Sequence, residues 1–182
     1  MNKSELRIWA KNIRKTLNLP IISNDICKNI RELDLYKKSK HVMIFYPLQN
    51  EVNLLPLLED NKCFYLPCVK GDKLLTCPYQ KGDELICSDL KIMEPKTRAI
   101  KPDILDIVFT PALCVDKNFY RLGYGGGFYD RFFKNGKLKM KNGKLKPKSI
   151  CVIPEELIIK QLPIEDYDIC CDGIITQKKA SF

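Results

Sequence analysis

The residues best suited to chemistry lie in one short stretch, Arg121 to Asp130, which reads Arg-Leu-Gly-Tyr-Gly-Gly-Gly-Phe-Tyr-Asp. Four of the nine glycines of the chain fall here, and glycine lets backbone N–H groups crowd together because its φ can be positive. A helix that begins behind the glycines adds unpaired N–H donors and a partial positive charge. These features favour an anion, most often a phosphate. Arg121 could grip phosphate oxygens in a fork, and Asp130 could hold Mg²⁺ against them.

The spacing of the glycines does not match a known phosphate-binding fingerprint. Phe128 stands where the dinucleotide fingerprint needs a third spaced glycine or alanine, and no Gly-Lys-Ser/Thr follows as in a Walker loop. From the spacing alone, a phosphate site and a flexible surface turn are about equally good interpretations.

The elements around this stretch predict an α/β fold. Apolar runs indicate buried strands, and amphipathic segments indicate helices between them. Strands are predicted over residues 41–46, 63–66, 72–79, 84–86, 106–109, 149–153 and 173–176, and helices over residues 2–18, 23–35, 54–58 and from Phe128 onward. Ser23 is the predicted N-cap of the second helix, Pro20 is expected to end the first, and residues 93–95 are assigned to a loop. Open α/β sheets bind ligands beyond the carboxyl ends of their strands, where the glycine-rich stretch lies.

Length and composition restrict the class of protein. A chain of 182 residues forms one domain with a sizeable core. No apolar run approaches a membrane span. The nine cysteines are odd in number, scattered and without a Cys-x-x-Cys pair, which indicates reduced core thiols in a cytoplasmic protein.

The positive charge of the chain is concentrated in one segment. Residues 134–148 contain seven lysines and no acid, so without them the net charge of +9 falls to +2. This segment is predicted to be a lysine-rich surface loop rather than a basic face of the fold.

Residues 111–116, Pro-Ala-Leu-Cys-Val-Asp, followed by residues 121–130, resemble the signature of the 5-formyltetrahydrofolate cyclo-ligase family. The family pattern is Pro-Gly-Leu-Ala-Phe-Asp, a short gap, and then Arg-Leu-Gly-Tyr-Gly-Gly-Gly-Tyr-Tyr-Asp-Arg. The chain departs from it at Ala112, at Cys114 and Val115, and at Phe128. None of these changes removes a charge or a glycine between Arg121 and Asp130, and other family marks recur in order from Lys3 to about Thr176.

The resemblance implies a single three-layer, Rossmann-like domain over residues 1–182, with a mostly parallel central sheet and helices on both faces. It implies ATP- and Mg²⁺-dependent cyclisation of 5-formyltetrahydrofolate to 5,10-methenyltetrahydrofolate, with release of ADP and phosphate. The expected partners are these small molecules, without nucleic acid or membrane, and the protein is expected to be a cytoplasmic monomer.

The resemblance also implies roles for individual residues. Arg121 and Tyr129 are the expected catalytic residues, and the pterin is expected at Tyr46 and Glu51. Tyr124 and Phe128 would contact the folate or the nucleotide, and Mg²⁺ would be held by Asp130 and Asp168, with Asp172 as a weaker second candidate. The ATP-binding set comprises Lys3 and Arg7 on one face of the first helix, then Arg121, Leu122, Gly123, Tyr124, Gly125, Gly126, Gly127, Phe128 and Tyr129. Alanine at Arg121 or Asp130 is predicted to abolish nearly all turnover and to leave the fold intact.

Without the resemblance, several of these residues have simpler interpretations. Lys3 and Arg7 would belong to a solvated basic face, Glu51 would be an acid at a helix start, and Asp168 a turn residue. Two other functions stay open: a sugar-phosphate enzyme that uses the same glycine loop without ATP, and a nucleic-acid-binding module that uses residues 134–148. The second is weakened because that segment lacks base-stacking aromatic residues.

Overall fold

The computed structural model of the chain describes residues 1–135 and 146–182. The predicted lysine-rich loop therefore lies largely outside the described residues. The α-helices within them are α1 (Lys3–Thr16), α2 (Leu19–Glu32), α3 (Asp34–Lys38) and α4 (Phe128–Asn135), with short 3-10 helices at Leu55–Glu59, Pro102–Ile104 and Glu155–Leu157. The strands are β1 (His41–Met43), β2 (Cys63–Lys70), β3 (Lys73–Pro78), β4 (Leu85–Cys87), β5 (Met93–Pro95), β6 (Ile107–Pro111), β7 (Cys114–Asp116), β8 (Arg121–Leu122), β9 (Lys148–Val152), β10 (Ile158–Ile159), β11 (Gly173–Ile175) and β12 (Ala180–Ser181).

Seven of these strands form the central sheet, in the order β12-β11-β9-β6-β1-β2-β3. The inner pairs, from β11 to β2, are parallel, and the two edge pairs, β11 with β12 and β2 with β3, are antiparallel. The predicted mostly parallel sheet is therefore confirmed. Smaller sheets are formed by β10, β7 and β8 and by β4 with β5.

Alternate residues of the central strands pack against helices on opposite faces of the sheet. Val42 and Ile107 belong to the core cluster that contains Ile26 and Ile30 of α2. Their neighbours in sequence, Met43 and Val108, pack in the cluster that contains Phe133 of α4, while α1 packs in a third cluster that contains Cys151 of β9. Side chains alternate between the faces of a strand, so both faces are covered and the predicted three layers are confirmed.

The second helix begins four residues earlier than the sequence predicts. Its N-cap is Asn18, whose side chain accepts a hydrogen bond from the Ile21 N–H, and Pro20 lies in the first turn, where a missing N–H costs nothing. The prediction of Ser23 as N-cap is wrong. Ser23 is buried inside α2, and its hydroxyl accepts a hydrogen bond from the Asn53 N–H at 2.9 Å.

Two further differences concern strands near the site. β1 ends at Met43 instead of residue 46, so Phe45 and Tyr46 lie beyond the end of the strand. Residues 93–95, predicted to be a loop, form β5 and pair with β4, with Glu94 opposite Ile86. Short strands such as β5 and β8 carry too few residues to show a period of two in the sequence.

Candidate active site

A cavity of about 370 Å³ lies beyond the carboxyl ends of β1 and β6, as expected for an open α/β sheet. One wall is the segment after β1, with Phe45, Tyr46 and Glu51, and the facing wall is the glycine-rich loop with the start of α4. The lining residues predicted from the sequence are Tyr46, Glu51, Arg121, Gly123, Tyr124, Gly126, Gly127, Phe128, Tyr129 and Asp130. Residues from both the predicted nucleotide group and the predicted pterin group therefore line one cavity, whereas Lys3, Arg7, Leu122, Gly125 and Asp168 do not line it.

The glycine-rich loop needs glycine at two positions. Gly125 has φ +112° and Gly127 has φ +63°, in the left-handed region that other residues rarely adopt. A Cβ at Gly125 would lie 3.8 Å from Cζ of Arg7, and Nε of Arg7 donates a hydrogen bond to the Gly123 carbonyl at 3.0 Å. Helix α1 thus places a guanidinium directly against the loop, as the resemblance implies for Arg7.

Arg121 is held in place before any ligand arrives. It lies on β8, which pairs with β7, and its side chain is 3% exposed. One terminal nitrogen, Nη2, donates to Oδ1 of Asp130 at 2.9 Å, and the other, Nη1, donates to the Ile169 carbonyl at 2.9 Å. Arg121 therefore braces α4 against the segment before β11 while it lines the cavity. Both terminal nitrogens, which would form the predicted fork to phosphate oxygens, therefore already donate hydrogen bonds within the protein.

A hydrogen bond connects one predicted metal ligand, Asp130, to the residue that follows the other, Asp168. Oδ1 of Asp130 accepts hydrogen bonds from Arg121 and from the Ile169 N–H at 3.2 Å, so the neighbouring residue Asp168 is brought to the same end of the site. Oδ2 of Asp168 accepts from Nζ of Lys3 at 2.7 Å, whereas Oδ2 of Asp130 accepts no hydrogen bond from the described residues.

The carboxylates of this site suit a metal ion that binds together with a phosphate ligand. Residues 1–135 and 146–182 contain no group of three or more His, Cys, Asp or Glu side chains arranged to hold a metal ion. Mg²⁺ is commonly held by one or two carboxylates together with substrate phosphates, so Asp130 and Asp168 fit an ion that binds with a nucleotide. Asp172 is less suited, because its carboxylate oxygens bind Nζ of Lys148 at 3.0 Å and the Ser149 N–H at 2.8 Å.

Lys3 lies at this end of the site through its ion pairs. Its Nζ is 2.7 Å from Asp168 and 3.2 Å from Glu165. Burial lowers the pKa of Lys3, but the hydrogen bonds and charges of the two carboxylates outweigh burial and raise that pKa overall. Lys3 therefore stays protonated at neutral pH.

Glu51 is a buried carboxylate with half of its hydrogen-bonding capacity unused. The residue is 7% exposed, and its Oε2 accepts a hydrogen bond from the Leu48 N–H at 2.8 Å. Its Oε1 is buried and has no partner among the described residues. A buried acceptor without a donor is costly, so this oxygen, in a residue that lines the cavity, suits a ligand with N–H groups.

Tyr129 lines the same cavity as Glu51 and Arg121, and both charges act on its hydroxyl. Burial raises the pKa of its hydroxyl, the Glu51 carboxylate raises it further, and Arg121 opposes both. The hydroxyl therefore stays protonated and can act as a hydrogen-bond donor in the cavity.

The other predicted residues of the loop contribute in different ways. Tyr124 is 43% exposed at the edge of the cavity, and Phe128 lines it with its ring 5.0 Å from Cζ of Arg131. Arg131 also donates to the Gly126 carbonyl at 2.8 Å, which ties the loop to α4. The side chain of Leu122 packs in the core with Leu6 and Ala10, so only its backbone is available to a ligand.

Sequence reasoning missed the hairpin that closes the far side of the cavity. Leu90, Ile92 and Glu94 line it from the turn between β4 and β5 and from β5 itself. Glu94 is 6% exposed, and its Oε1 accepts a hydrogen bond from the Val69 N–H at 3.2 Å. The Glu-Pro pair was visible in the sequence, but a three-residue strand gives no periodic signal that would place it beside the site.

Among the residues that the structure describes, no helix is both long and apolar enough to cross a membrane.

Comparisons with known proteins agree on one family. Residues 2–177 match the model of the 5-formyltetrahydrofolate cyclo-ligase family. The 5-formyltetrahydrofolate cyclo-ligase of Escherichia coli K12 is 34% identical over 97 residues, which are 52% of this chain and 50% of that protein, so the match spans about half the length of this curated relative.

Two solved structures have the same fold. The NMR structure of Aquifex aeolicus 5,10-methenyltetrahydrofolate synthetase matches 99% of this chain and 92% of its own, with a TM-score of 0.81 and 29% identity. The 5,10-methenyltetrahydrofolate synthetase of Mycoplasma pneumoniae matches 97% of this chain and 99% of its own, with a TM-score of 0.72 and 22% identity, and supports the fold alone. The chain therefore belongs to the 5-formyltetrahydrofolate cyclo-ligase family.

Proposed function

We propose that the protein converts 5-formyltetrahydrofolate to 5,10-methenyltetrahydrofolate at the expense of ATP, with Mg²⁺ as cofactor. One observation carries the proposal: the glycine-rich loop under Arg7 and the unpartnered carboxylate oxygen of Glu51 belong to the same cavity system. The loop suits a polyphosphate, and the carboxylate suits the row of N–H donors on a pterin.

The chemistry requires an activated formyl group. A formyl amide is a poor electrophile, and its oxygen is a poor leaving group. In the first step the formyl oxygen attacks the γ-phosphorus of ATP and ADP leaves, which gives an iminophosphate. Nitrogen-10 of the folate then attacks the formyl carbon, loses its proton, and phosphate departs with the former formyl oxygen.

The protein's part in this scheme is to position the two substrates and to neutralise charge. Arg7 and the amides of residues 123–127 would hold the triphosphate, and Lys3, one turn before Arg7 on the same face of α1, would lie beside it. Glu51 and Tyr46 would orient the pterin, so that its formyl oxygen faces the terminal phosphate. The protonated Tyr129 would donate a hydrogen bond where negative charge develops on the transferred group.

Arg121 contributes from a fixed position in this scheme. Because it is already paired with Asp130, its guanidinium needs no reorganisation when the phosphoryl group transfers. Mg²⁺, held by Asp130 and Asp168, would neutralise charge on the phosphate oxygens.

We propose further that residues 1–182 act as one catalytic domain, monomeric and cytoplasmic, on small molecules and without a nucleic-acid partner. All nine cysteines are free, which supports a reducing compartment. The basic excess of the chain lies in one segment, residues 134–148, and the remaining residues carry a net charge of only +2, which favours small-molecule substrates over a nucleic acid.

The activity is tested with purified protein, Mg²⁺, ATP and 5-formyltetrahydrofolate, by recording the absorbance of the methenyl product. We expect the chromophore to appear only when nucleotide is present, with one ADP formed per product. A sugar-phosphate enzyme would give no change in absorbance under these conditions. Release of ADP without the chromophore would contradict the proposal.

A further inference from the structure

Arg14 is a buried charged residue that the proposed reaction does not use. It lies on α1, is 3% exposed, and does not line the cavity. Its Nη1 donates a hydrogen bond to the Asn50 carbonyl at 2.8 Å, and its Nη2 donates to the Ala112 carbonyl. One side chain therefore joins α1 to the turn that precedes Glu51 and to the residue that follows β6.

These contacts are a costly way to stabilise a fold. Within residues 1–135 and 146–182, the hydrogen-bond acceptors of Arg14 are carbonyls rather than carboxylates, and its buried Nε has no acceptor. A buried charge without an opposite charge costs free energy, and an apolar side chain of similar volume is often at least as stable in such a place. The geometry that Arg14 imposes therefore explains the residue better than its contribution to stability.

The turn that Arg14 contacts is the one that carries Glu51. The Glu51 N–H donates to the Leu48 carbonyl at 3.1 Å, and Oε2 of Glu51 accepts from the Leu48 N–H at 2.8 Å. Between them Asn50 has φ +65°, in the left-handed region that residues other than glycine adopt at a cost. Arg14 binds the carbonyl of this same residue, so it holds the backbone at the strained position of the turn.

The orientation of the Glu51 carboxylate follows the turn, because the hydrogen bond from Leu48 ties its Oε2 to the backbone. Its Oε1 is buried and has no partner among the described residues, and Glu51 lines the cavity. A turn that changed its conformation would move this free oxygen relative to a ligand. Holding the turn therefore orients the carboxylate before a ligand binds, which lowers the cost of binding.

Helix α1 also holds the opposite wall of the cavity. Nε of Arg7 donates to the Gly123 carbonyl at 3.0 Å, in the glycine-rich loop. Arg14 follows seven residues later, which is two helical turns or about 10 Å along the axis, on the same face of the helix. A single rigid helix thus fixes the distance between the loop that suits phosphates and the turn that suits a pterin.

We propose that Arg14 is a positioning residue: it holds the turn Leu48–Glu51 so that the Glu51 carboxylate faces the head group of the folate, at a fixed distance from the phosphate site, and it acts without touching either substrate. The inference rests on the proposed function for the identity of the two ligands. It requires that every effect of Arg14 on folate binding passes through Glu51.

The test uses Arg14→Lys, in which a single amine replaces two nitrogens that bind separate carbonyls. The matched control is Arg31→Lys on α2, whose guanidinium binds Asp60 at 3.0 Å and the Pro56 carbonyl at 2.9 Å and does not line the cavity. Hydrogen exchange of the protein without ligand is measured first. The Glu51 amide should exchange about tenfold faster in Arg14→Lys than in the wild type, and unchanged in the control, because only the first variant frees the turn.

Steady-state kinetics then measures the effect on each substrate. We expect Arg14→Lys to raise KM for 5-formyltetrahydrofolate about tenfold and to leave KM for ATP and kcat within about twofold, since orientation of Glu51 affects the folate alone. In the Glu51→Gln background the same substitution should change KM for the folate by less than about twofold, because two residues that act through one contact are not additive. The control should keep the kinetics of the wild type.

A second variant covers the case in which Arg14→Lys does not fold. Asn50 is exposed, so Asn50→Ala strains the same turn without disturbing α1, because alanine adopts a positive φ less readily than asparagine. It should likewise raise KM for the folate and not for ATP, and this effect should also vanish in the Glu51→Gln background.

Two results would overturn the inference. One is exchange at the Glu51 amide that Arg14→Lys leaves unchanged. The other is a rise in KM for the folate that is as large in the Glu51→Gln background as in the wild type, which would mean that Arg14 acts independently of Glu51. Failure of the proposed function looks different: exchange at the turn would respond as expected, but neither the wild type nor the variants would form the methenyl product.

Discussion

At the scale of single residues, the site depends on groups whose hydrogen bonds are incomplete without a ligand. Glu51 is the clearest case, because Oε2 is bound by the Leu48 N–H and Oε1 has no partner in the described part of the chain. The hydrogen bond from the surrounding turn fixes the carboxylate, so it is orientated before any ligand binds. Such a group contributes to binding without first losing side-chain freedom.

Glu51→Gln keeps the size of the side chain and removes its charge. We expect KM for 5-formyltetrahydrofolate to rise about 10-fold to 100-fold, because a hydrogen bond to a charged group is worth about 1.5–3 kcal/mol. KM for ATP should change little, since the glycine loop is untouched. Steady-state kinetics with each substrate varied in turn measures both. An equal loss for the two substrates would argue against a pterin contact.

Asp130→Asn tests the predicted metal ligand. The amide oxygen can still accept from Arg121 and the Ile169 N–H, so the variant should fold, with a thermal unfolding midpoint lowered by the loss of the charge paired with Arg121. Turnover should fall about 100-fold or more, because loss of a metal contact costs several kcal/mol in the transition state. Asp166→Asn, at an exposed aspartate two residues before Asp168, is the matched control and should keep full activity. Normal turnover in the Asp130 variant would exclude this carboxylate from the metal site.

Arg121 has a structural function that the sequence alone does not reveal. Removing its side chain would leave Asp130 without its ion pair and would open space in a region where the guanidinium is 3% exposed. We therefore expect Arg121→Ala to lower the free energy of unfolding by about 3 kcal/mol, in contrast to the sequence-based expectation of an intact fold. Chemical denaturation measures this loss. A variant as stable as the wild type would contradict the bracing role.

At the scale of elements, the site is formed where α1, the glycine loop and α4 meet the ends of β1 and β6. The glycine loop and α4 were predictable from Arg121–Asp130, because glycine spacing and an aromatic helix start are local signals. The strands β7 and β8 that position Arg121 were not, because their pairing depends on Cys114 lying opposite Leu122, eight residues away. The amphipathic pattern placed α1 correctly, but the pattern does not indicate that the charged residue Arg14 is buried.

Gly125→Ala separates backbone strain from ligand binding. Gly125 has φ +112° and lies against Arg7, so alanine should strain the loop by about 1–3 kcal/mol and reduce ATP affinity at least tenfold. Gly82 has φ +97° with open space around it, so Gly82→Ala carries a similar strain far from the loop. Calorimetric titration of an ATP analogue should show a loss for the first variant and none for the second. Equal affinities in both would mean that the loop does not hold the nucleotide.

At the scale of the whole molecule, burial of the cysteines gives an independent check of the fold. Six of the nine cysteines are buried, and Cys63, Cys87 and Cys170 are exposed. Burial raises the pKa of the Cys27 thiol to about 11 and that of Cys114 to about 12. These thiols therefore react slowly for two reasons: a reagent cannot reach them, and little of the reactive thiolate forms. A thiol reagent should modify three cysteines rapidly in the native protein and nine after denaturation. Rapid modification of all nine without denaturant would contradict this packing.

The sequence predicted the class of fold and its inner strands better than it predicted where each helix and strand ends. Apolar runs such as residues 106–109 and 149–153 identify inner parallel strands, because both faces of such a strand are buried. The ends of elements were harder to place, as Ser23 and Asn18 show, because either residue can cap a helix and only tertiary packing chooses between them. The residues proposed to bind the metal and the folate were predicted by resemblance, since an isolated aspartate or glutamate carries no local signal of its use.

The central claim is that a nucleotide's phosphates lie between the amides of residues 123–127 and the guanidinium of Arg7, next to the cavity that receives the folate. A crystal structure of the protein with ADP and Mg²⁺ tests it most directly. We expect the terminal phosphate of ADP against the glycine loop, with Mg²⁺ in contact with Asp130. Nucleotide bound elsewhere on the molecule, with the glycine loop free of phosphate, would contradict the account.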